Sequence, residues 1–384
     1  MVIKKNIQVG KNNFKLIYLV FLFYFCSVLN LNAKSNLEGT FTDIKILDKI
    51  SSKNTLLKLK NGQLIKFKDL SIKSLKCKNS EFDDNPEITA YIKVRDLANQ
   101  NNDEEDQNDF AEIDYGLTEY GVTFQGIDRD FSIYIPESYT HDSASAMMFV
   151  FHGFGGSNDF IMYTSNFNSV SERENFIVVY PQGSSFWGYP HWNVGGWTNT
   201  SSVDDIGFVD FLIELISQEY NLNQNKIYAT GMSNGGFFSY LLACQLSQKI
   251  AAVASVTGSM TNETFNNCDP SKEVPVLQIH GTNDPIVTYE GNSAIGSIGI
   301  ESVLSYWKSN NYCDEPETTE LYDSNPDDSF YVHRVLFDNG VNGSKVDHYK
   351  VYGGEHVWFM EDDINSSELI WEFFSQYDLN GYIN

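Results

Sequence analysis

Three residues have the types and the chain order needed for covalent acyl transfer: Ser233, Asp284 and His356. Ser233 stands in Gly231-Met232-Ser233-Asn234-Gly235-Gly236, between the apolar run Lys226 to Ala229 and a segment, Phe238 to Gln245, patterned as a helix. A serine hydroxyl is a weak nucleophile until a neighbouring base takes its proton. A Gly-x-Ser-x-Gly box at a strand-to-helix turn holds the serine in strained backbone geometry with Oγ presented to a cleft, and small neighbours let the chains pass. The spacing therefore predicts Ser233 as nucleophile and the N–H of Asn234 as one donor to the developing oxyanion. Of the seven histidines, His356 alone comes late, just past an apolar strand and on a loop opened by Gly353-Gly354, as a general base requires. Asp284 leaves a late strand in Gly281-Thr282-Asn283-Asp284-Pro285 and is the candidate orienting acid, whereas Asp269 precedes that strand and is badly placed. His280, His333 and His348 fall within strand patterns and read as structural hydrogen-bonding groups.

These residues need a scaffold of strands that end together. Gly121 to Phe124 and Arg129 to Pro136 alternate like antiparallel strands. Ala146 to Phe151 is a continuous apolar run, as expected for a strand buried on both faces of a mostly parallel sheet, and Ile177 to Gly183, Ala251 to Val256, Val274 to His280 and about Asp347 to Tyr352 read as the further strands. The first of these runs empties into His152-Gly153-Phe154-Gly155-Gly156-Ser157, whose glycines let backbone N–H groups face a ligand; Phe154 is the candidate second oxyanion donor. The loop Phe186-Trp187-Gly188-Tyr189-Pro190-His191-Trp192-Asn193 follows another strand end, where open α/β sheets bind ligands. Its aromatics either wall a substrate cleft or pack on the body; Trp187 and Trp192, with Trp358 after His356, are the cleft candidates. Asp204-Asp205 opens a helical segment, Ile206 to Ile216, and suits N-capping and the helix dipole. A helical tail, Ser366 to Phe374, closes the domain. The order Ser, Asp, His along the chain is that of the α/β-hydrolase fold rather than of other serine enzymes.

The rest of the chain bounds the setting. Residues 1–33 read as a signal peptide, with four lysines before the apolar run Leu16 to Leu31 and Ala33 at the cut; an uncleaved anchor is the alternative. Residues 36–98 read as a small β-rich module, with Asn61-Gly62 as a hairpin turn, and 99–114 as an acidic linker. The linker's carboxylates have neither turn glycine nor ligand spacing, so no metal is expected there. From residue 79 onward 11 basic residues face 47 acidic ones, a net charge of −36, which disfavours nucleic acid or anionic membrane as partners and fits a neutral substrate. Among Cys77, Cys244, Cys268 and Cys313, one bridge is expected within the last three, and Cys77 is undecided.

From about Phe131 to Phe374 the chain resembles the secreted esterase family that includes polyhydroxybutyrate depolymerases and feruloyl esterases. The resemblance is carried by His152-Gly153-Phe154-Gly155-Gly156, Tyr180-Pro181-Gln182-Gly183, Val203-Asp204-Asp205-Ile206-Gly207-Phe208, Gly231-Met232-Ser233-Asn234-Gly235-Gly236, His280-Gly281-Thr282-x-Asp284 and Gly353-Gly354-x-His356-x-Trp358. Glu355 stands where members commonly have a third glycine. The resemblance implies an α/β-hydrolase catalytic domain over 115–384, no cofactor, and an exported enzyme that cleaves an ester, in an insoluble polymer or polysaccharide, through an acyl-enzyme. Two rival readings are a peptidase of the prolyl-oligopeptidase type, for which residues 36–110 are too short to hold a propeller, and a catalytically silent binding protein of the same fold.

Overall fold

The computed structural model describes residues 113–314, 318–327, 330–360 and 363–383, together with the backbone of five strands before them. The expected signal peptide and almost all of the expected linker lie outside the described residues. Chain contacts divide the protein into two units, residues 1–108 and 109–384.

In the first unit β1 (Phe41–Asp48) pairs antiparallel with β2 (Lys53–Lys60), while β3 (Leu64–Phe67), β4 (Leu70–Asn79) and β5 (Ile88–Asp96) form a three-stranded antiparallel sheet. The hairpin expected at Asn61-Gly62 is not formed, because the strands on either side of it belong to different sheets. The next pair of strands, β3 and β4, does pair, from Phe67 with Leu70 to Leu64 with Lys73.

The second unit is built on a ten-stranded sheet. The alternating segments form the hairpin β6 (Gly116–Phe124) and β7 (Ile127–Ile135), turned by Gln125 and Gly126, both at positive φ. The apolar runs supply β8 (Ser145–Phe151) and β9 (Ile177–Pro181). A short hairpin, β10 (Ser184–Phe186) and β11 (Tyr189–His191), follows. Next come β12 (Leu222–Met232), β13 (Ala252–Val256), β14 (Val276–Gly281), β15 (Thr318–Tyr322), β16 (Tyr331–Phe337) and β17 (Val346–Tyr352). A terminal two-residue ladder joins β18 (Tyr377–Asp378) to β19 (Gly381–Tyr382). The large sheet runs β15-β16-β17-β14-β13-β12-β8-β9-β7-β6. Its six central strands, β9 to β17 in that order, are mutually parallel, and antiparallel pairs close both edges.

Helices cover both faces, which is why strands such as β8, β9 and β13 read as apolar runs. On one face α1 (Asn158–Ser165), α2 (Phe167–Glu174) and α7 (Ser366–Phe374) bury Ile161, Phe167, Ile370 and Phe374 against Met148, Val150 and Val178. On the other, α3 (Asp205–Ile216), α4 (Asn234–Gln245), the short α5 (Asn262–Asn267) and α6 (Ile300–Asn310) pack Phe208, Leu212, Phe238 and Trp307 over Phe149 and Phe151. The bridge joins Cys244, at the end of α4, to Cys268 after α5, and Cys313 is a buried free thiol pushed up to about 11 by burial.

The two aspartates that open α3 divide their roles. Asp204 caps the helix, accepting from the Gly207 N–H at 2.8 Å. Asp205 is instead buried in an ion pair with Arg129 at 2.8 Å, and its other oxygen accepts from the Asn193 N–H at 2.8 Å. Removing one member of such a pair strands the other charge in the core. Arg129→Met should therefore lower the unfolding free energy by about 3–5 kcal/mol in urea; a loss below about 1 kcal/mol would show the pair to be dispensable.

Candidate functional site

Because the central strands are parallel, their C-terminal ends meet along one edge, and the segments singled out in the sequence leave from that edge. Ser233 sits between β12 and α4 at φ 53°, ψ −121°. A non-glycine residue held there costs about 1–3 kcal/mol and persists only where the surroundings enforce it. Here the enforcement is a close crossing of three chains. A Cβ on Gly231 would lie 2.6 Å from the Gly235 carbonyl carbon and 2.7 Å from the Phe151 oxygen, and one on Gly235 would fall on the Phe151 carbonyl. The Ser233 N–H is bonded to the Val256 carbonyl at 2.9 Å, and its side chain makes no capping bond to α4.

The His152–Gly156 loop leaves β8 beside this turn; a Cβ built on Gly153 would be 3.4 Å from that of Ser233. The N–H groups of Gly155 and Gly156 are held by the carbonyls of Pro190 (2.7 Å) and Gly153 (3.0 Å), which fixes the turn around Phe154. His152 anchors the loop from below. Its Nδ1–H donates to the Gly153 carbonyl at 2.7 Å, and its Nε2 accepts from the Gly183 N–H at 2.9 Å. Burial pushes this imidazole down to about 4, so it is neutral in the tautomer these bonds demand.

Asp284 follows β14 and is buried. Its Oδ2 accepts from His356 Nδ1 at 2.7 Å, and its Oδ1 accepts from the N–H groups of Ile286 (2.8 Å) and Val287 (2.9 Å). Burial alone would raise its pKa, but the bond and charge of His356 and the two backbone donors outweigh it and hold the carboxyl below its usual range. His280 is a buried support for this acid, as its strand position suggested. Its Nε2–H donates to the Val287 carbonyl at 2.8 Å, and its Nδ1 accepts from Gln278 at 3.1 Å. His348 is likewise buried, with Nδ1 on the Gln278 carbonyl at 3.1 Å. His356 stands after β17 on the Gly353-Gly354 loop, with Glu355 exposed beside it. The Gly354 carbonyl accepts from the Asn283 N–H at 2.9 Å, which ties the histidine loop to the aspartate loop.

The three tryptophans separate. Trp187 is 80% exposed at the tip of the β10–β11 hairpin, at φ 52°, stacked on Phe186 at 4.6 Å. Trp192 and Trp358 are not exposed cleft walls as expected. Trp192 is fully buried, its ring stacked on Phe238 at 5.1 Å and edge-on to Phe151 at 5.0 Å, because its indole N–H finds a carbonyl partner, that of His152, inside the core. Trp358 donates to Ser367 Oγ at 3.0 Å and packs edge-on to Phe167; it borders a cavity of about 430 Å³ that Val357, Phe330 and Met360 also line, and that Ser233, Asp284 and His356 do not. Tyr189, which the sequence marked only as one of the aromatics of that loop, is 58% exposed and its ring lies 5.8 Å from that of Phe154. Among the described residues no group of His, Cys, Asp or Glu could hold a metal ion.

Residues 138–303 match the Phospholipase/Carboxylesterase family, a span that includes Ser233 and Asp284 and stops short of His356. Residues 42–126 match a family described as an uncharacterized protein conserved in bacteria. The chain is 27% identical over 263 residues to a bifunctional acetylxylan esterase/xylanase of Neocallimastix patriciarum, covering 68% of this chain and 35% of that one. It is 27% identical over 214 residues to a probable feruloyl esterase C of Aspergillus niger, covering 52% and 76%, and 26% identical over 272 residues to feruloyl esterase D of Neurospora crassa, covering 67% and 85%. It thus spans about a third of the bifunctional relative and most of the two feruloyl esterases. An acetyl xylan esterase structure from Aspergillus awamori superposes with a TM-score of 0.50 at 16% identity, over 67% of this chain and 99% of that one, which speaks for the fold.

The buried neutral His152 makes a prediction of definite sign. Its folded value of about 4 lies below the ordinary 6.5, so the unfolded chain takes up the proton first. Its contribution is full above pH about 6.5 and is lost as pH falls towards about 4, a change of about 3 kcal/mol. His152→Gln should flatten the stability difference between pH 7 and pH 4.5 relative to the wild type by about 2–3 kcal/mol; an unchanged difference would mean that the buried imidazole carries none of it. Sequence, fold and strand-end geometry agree: the second unit has the α/β-hydrolase fold, and the chain is similar to feruloyl and acetylxylan esterases.

Proposed function

We propose that residues 115–384 form a serine carboxylic-ester hydrolase that works through an acyl-enzyme. The observation that carries this reading is the buried Asp284 carboxylate, fastened by two backbone N–H groups and bonded at 2.7 Å to His356, on the same sheet edge as the strained Ser233 turn. In the proposed reaction Ser233 Oγ attacks the ester carbonyl while His356 Nε2 takes its proton. Asp284 holds the imidazole in the tautomer with hydrogen on Nδ1 and stabilises the imidazolium. The N–H groups of Phe154 and Asn234 receive the oxyanion. Collapse of the tetrahedral intermediate breaks the bond to the alcohol oxygen, which leaves with the proton from His356; water, deprotonated by the same nitrogen, then frees the acid and restores Ser233.

The proposed substrate is a neutral ester, either a feruloyl or acetyl ester of polysaccharide, as the names of the relatives suggest, or a polyester of the hydroxyalkanoate type. Exposed Trp187 and Tyr189 beside Phe154 favour an ester with a flat ring or apolar face next to the carbonyl. We further propose export by removal of residues 1–33. The Cys244–Cys268 bridge suits an oxidising compartment, and no helix among the described residues is long and apolar enough to cross a membrane.

Ser233→Ala should reduce hydrolysis of p-nitrophenyl butyrate by about 10⁴-fold or more, and Asp284→Asn by about 10³- to 10⁴-fold, with both variants folded. Turnover that survived Ser233→Ala would overturn the reading, and cleavage of proline-containing peptides without ester turnover would replace it with a peptidase. Across methyl ferulate, acetylated xylan and polyhydroxybutyrate film, Trp187→Ala should raise KM by about 2- to 10-fold on the preferred substrate and leave kcat nearly unchanged. No change in KM on any of the three would remove Trp187 from the binding surface.

A further inference from the structure

We infer that Trp192 and the Asn234 carboxamide are positioning residues that hold the two proposed oxyanion donors, the N–H groups of Phe154 and Asn234, at a fixed separation. The inference rests on the ester-hydrolase reading above.

The two donors follow different strands. Phe154 lies two residues past His152 on the loop leaving β8, and Asn234 opens the helix that follows β12. Trp192 comes from a third segment, just past the β10–β11 hairpin, and is bonded to the loop that carries the first donor, at His152, and to the side chain of the second. Its indole Nε1–H donates to the His152 carbonyl at 2.9 Å. Its backbone N–H donates to Asn234 Oδ1 at 2.7 Å, and its backbone carbonyl accepts from Asn234 Nδ2 at 3.1 Å. One carboxamide thus pairs with both backbone groups of one residue, so neither the helix start nor the tryptophan can shift alone. His152, Trp192 and Asn234 are each fully buried. The same segment reaches the loop a second time through the Gly183 N–H on His152 Nε2 at 2.9 Å, and it is tethered behind by the Asn193 N–H on Asp205 at 2.8 Å.

Stability alone gives little reason for this arrangement. A buried carboxamide is costly unless every polar atom is matched, and an apolar residue at the first position of a buried helix avoids that demand. The matched set joins the two places whose separation governs an oxyanion hole. Donors lower the barrier only if they sit about 3 Å from where the oxyanion will be, and a misplacement of about 1 Å costs up to about 100-fold in rate.

Trp192→Phe keeps the ring packing and removes only the bond to His152. Asn234→Ala removes both bonds to the Trp192 backbone and leaves its own N–H in place. The probes are p-nitrophenyl butyrate and its thionoester, in which sulfur, a poor hydrogen-bond acceptor, replaces the carbonyl oxygen. Each variant should lower kcat on the oxoester by about 10- to 100-fold with KM within about twofold, and should change the thionoester much less, so that the oxo-to-thiono rate ratio collapses. The double variant should fall little further than the worse single one, because both act on one clamp. Trp371→Phe, whose ring stacks on Phe176 in the core on the other face, should keep the wild-type ratio. Folded variants that lose oxoester and thionoester rates equally, or lose neither, would overturn the inference. Should Trp192→Phe fail to fold, Asn234→Ala decides by the same ratio. A wild-type chain without ester turnover would overturn the hydrolase reading and this inference together, an outcome distinct from an unchanged ratio.

Discussion

The close crossing of backbone at Gly231, Gly235 and Phe151 is the constraint on which the rest of the site depends. Strands β8 and β12 are neighbours in the sheet, and α4 starts directly over their shared end, where any side chain at Gly231 or Gly235 would collide with main chain. The chain must reverse from strand to helix in one residue, and that residue is Ser233 at positive φ. Such a turn survives because the helix it starts is buried over nearly its whole length, from Asn234 to Cys244. Hydrophobic burial of α4 offsets the local strain, and the strain presents the hydroxyl at the sheet edge instead of turning it into a helix cap.

Around that turn the buried groups that carry or support the acid have complete partners, whereas the hydroxyls of Thr230, Ser255 and Thr257 are buried without one. Asp284 accepts two backbone bonds and one from His356; His280 behind it is satisfied at both ring nitrogens; Gln278, next in line, also accepts from Tyr240 at 2.6 Å. The outer surface is strongly acidic, yet the buried charges are paired, Arg129 with Asp205 and Arg334 with Asp347 at 2.9 Å. This division fits the general rule that an unpaired buried charge is far more costly than an exposed one. It leaves the proposed site with one buried carboxylate whose field is directed at one imidazole.

The segment from Gln182 to Asn193 shows how closely structural and substrate-facing roles can lie. At its tip Trp187 is exposed at a backbone angle that favours glycine, which folding alone does not explain. At its base Trp192, five residues on, is sealed in the core between the two chains that carry the proposed oxyanion donors. The hairpin thus reaches from the proposed substrate surface to the support beneath the site.

What the sequence determined by itself was whatever depends on local pattern and order: unbroken apolar runs for strands covered on both faces, glycines where chains cross, and Ser233, Asp284 and His356 each placed just past a strand. Those features are local, because burial on two faces and a tight turn each leave a mark within a few residues. Only the tertiary structure decided which face an aromatic takes and which polar groups meet. Trp187 and Trp192 have the same composition around them, and their fates differ because one finds a partner carbonyl across the sheet and the other does not. Asp204 and Asp205 looked alike at a helix start, until Arg129, 76 residues earlier, took one of them into the core. The hairpin signal at Asn61-Gly62 failed for the same reason: a turn motif specifies a bend, but pairing is settled by which strands the rest of the chain brings alongside.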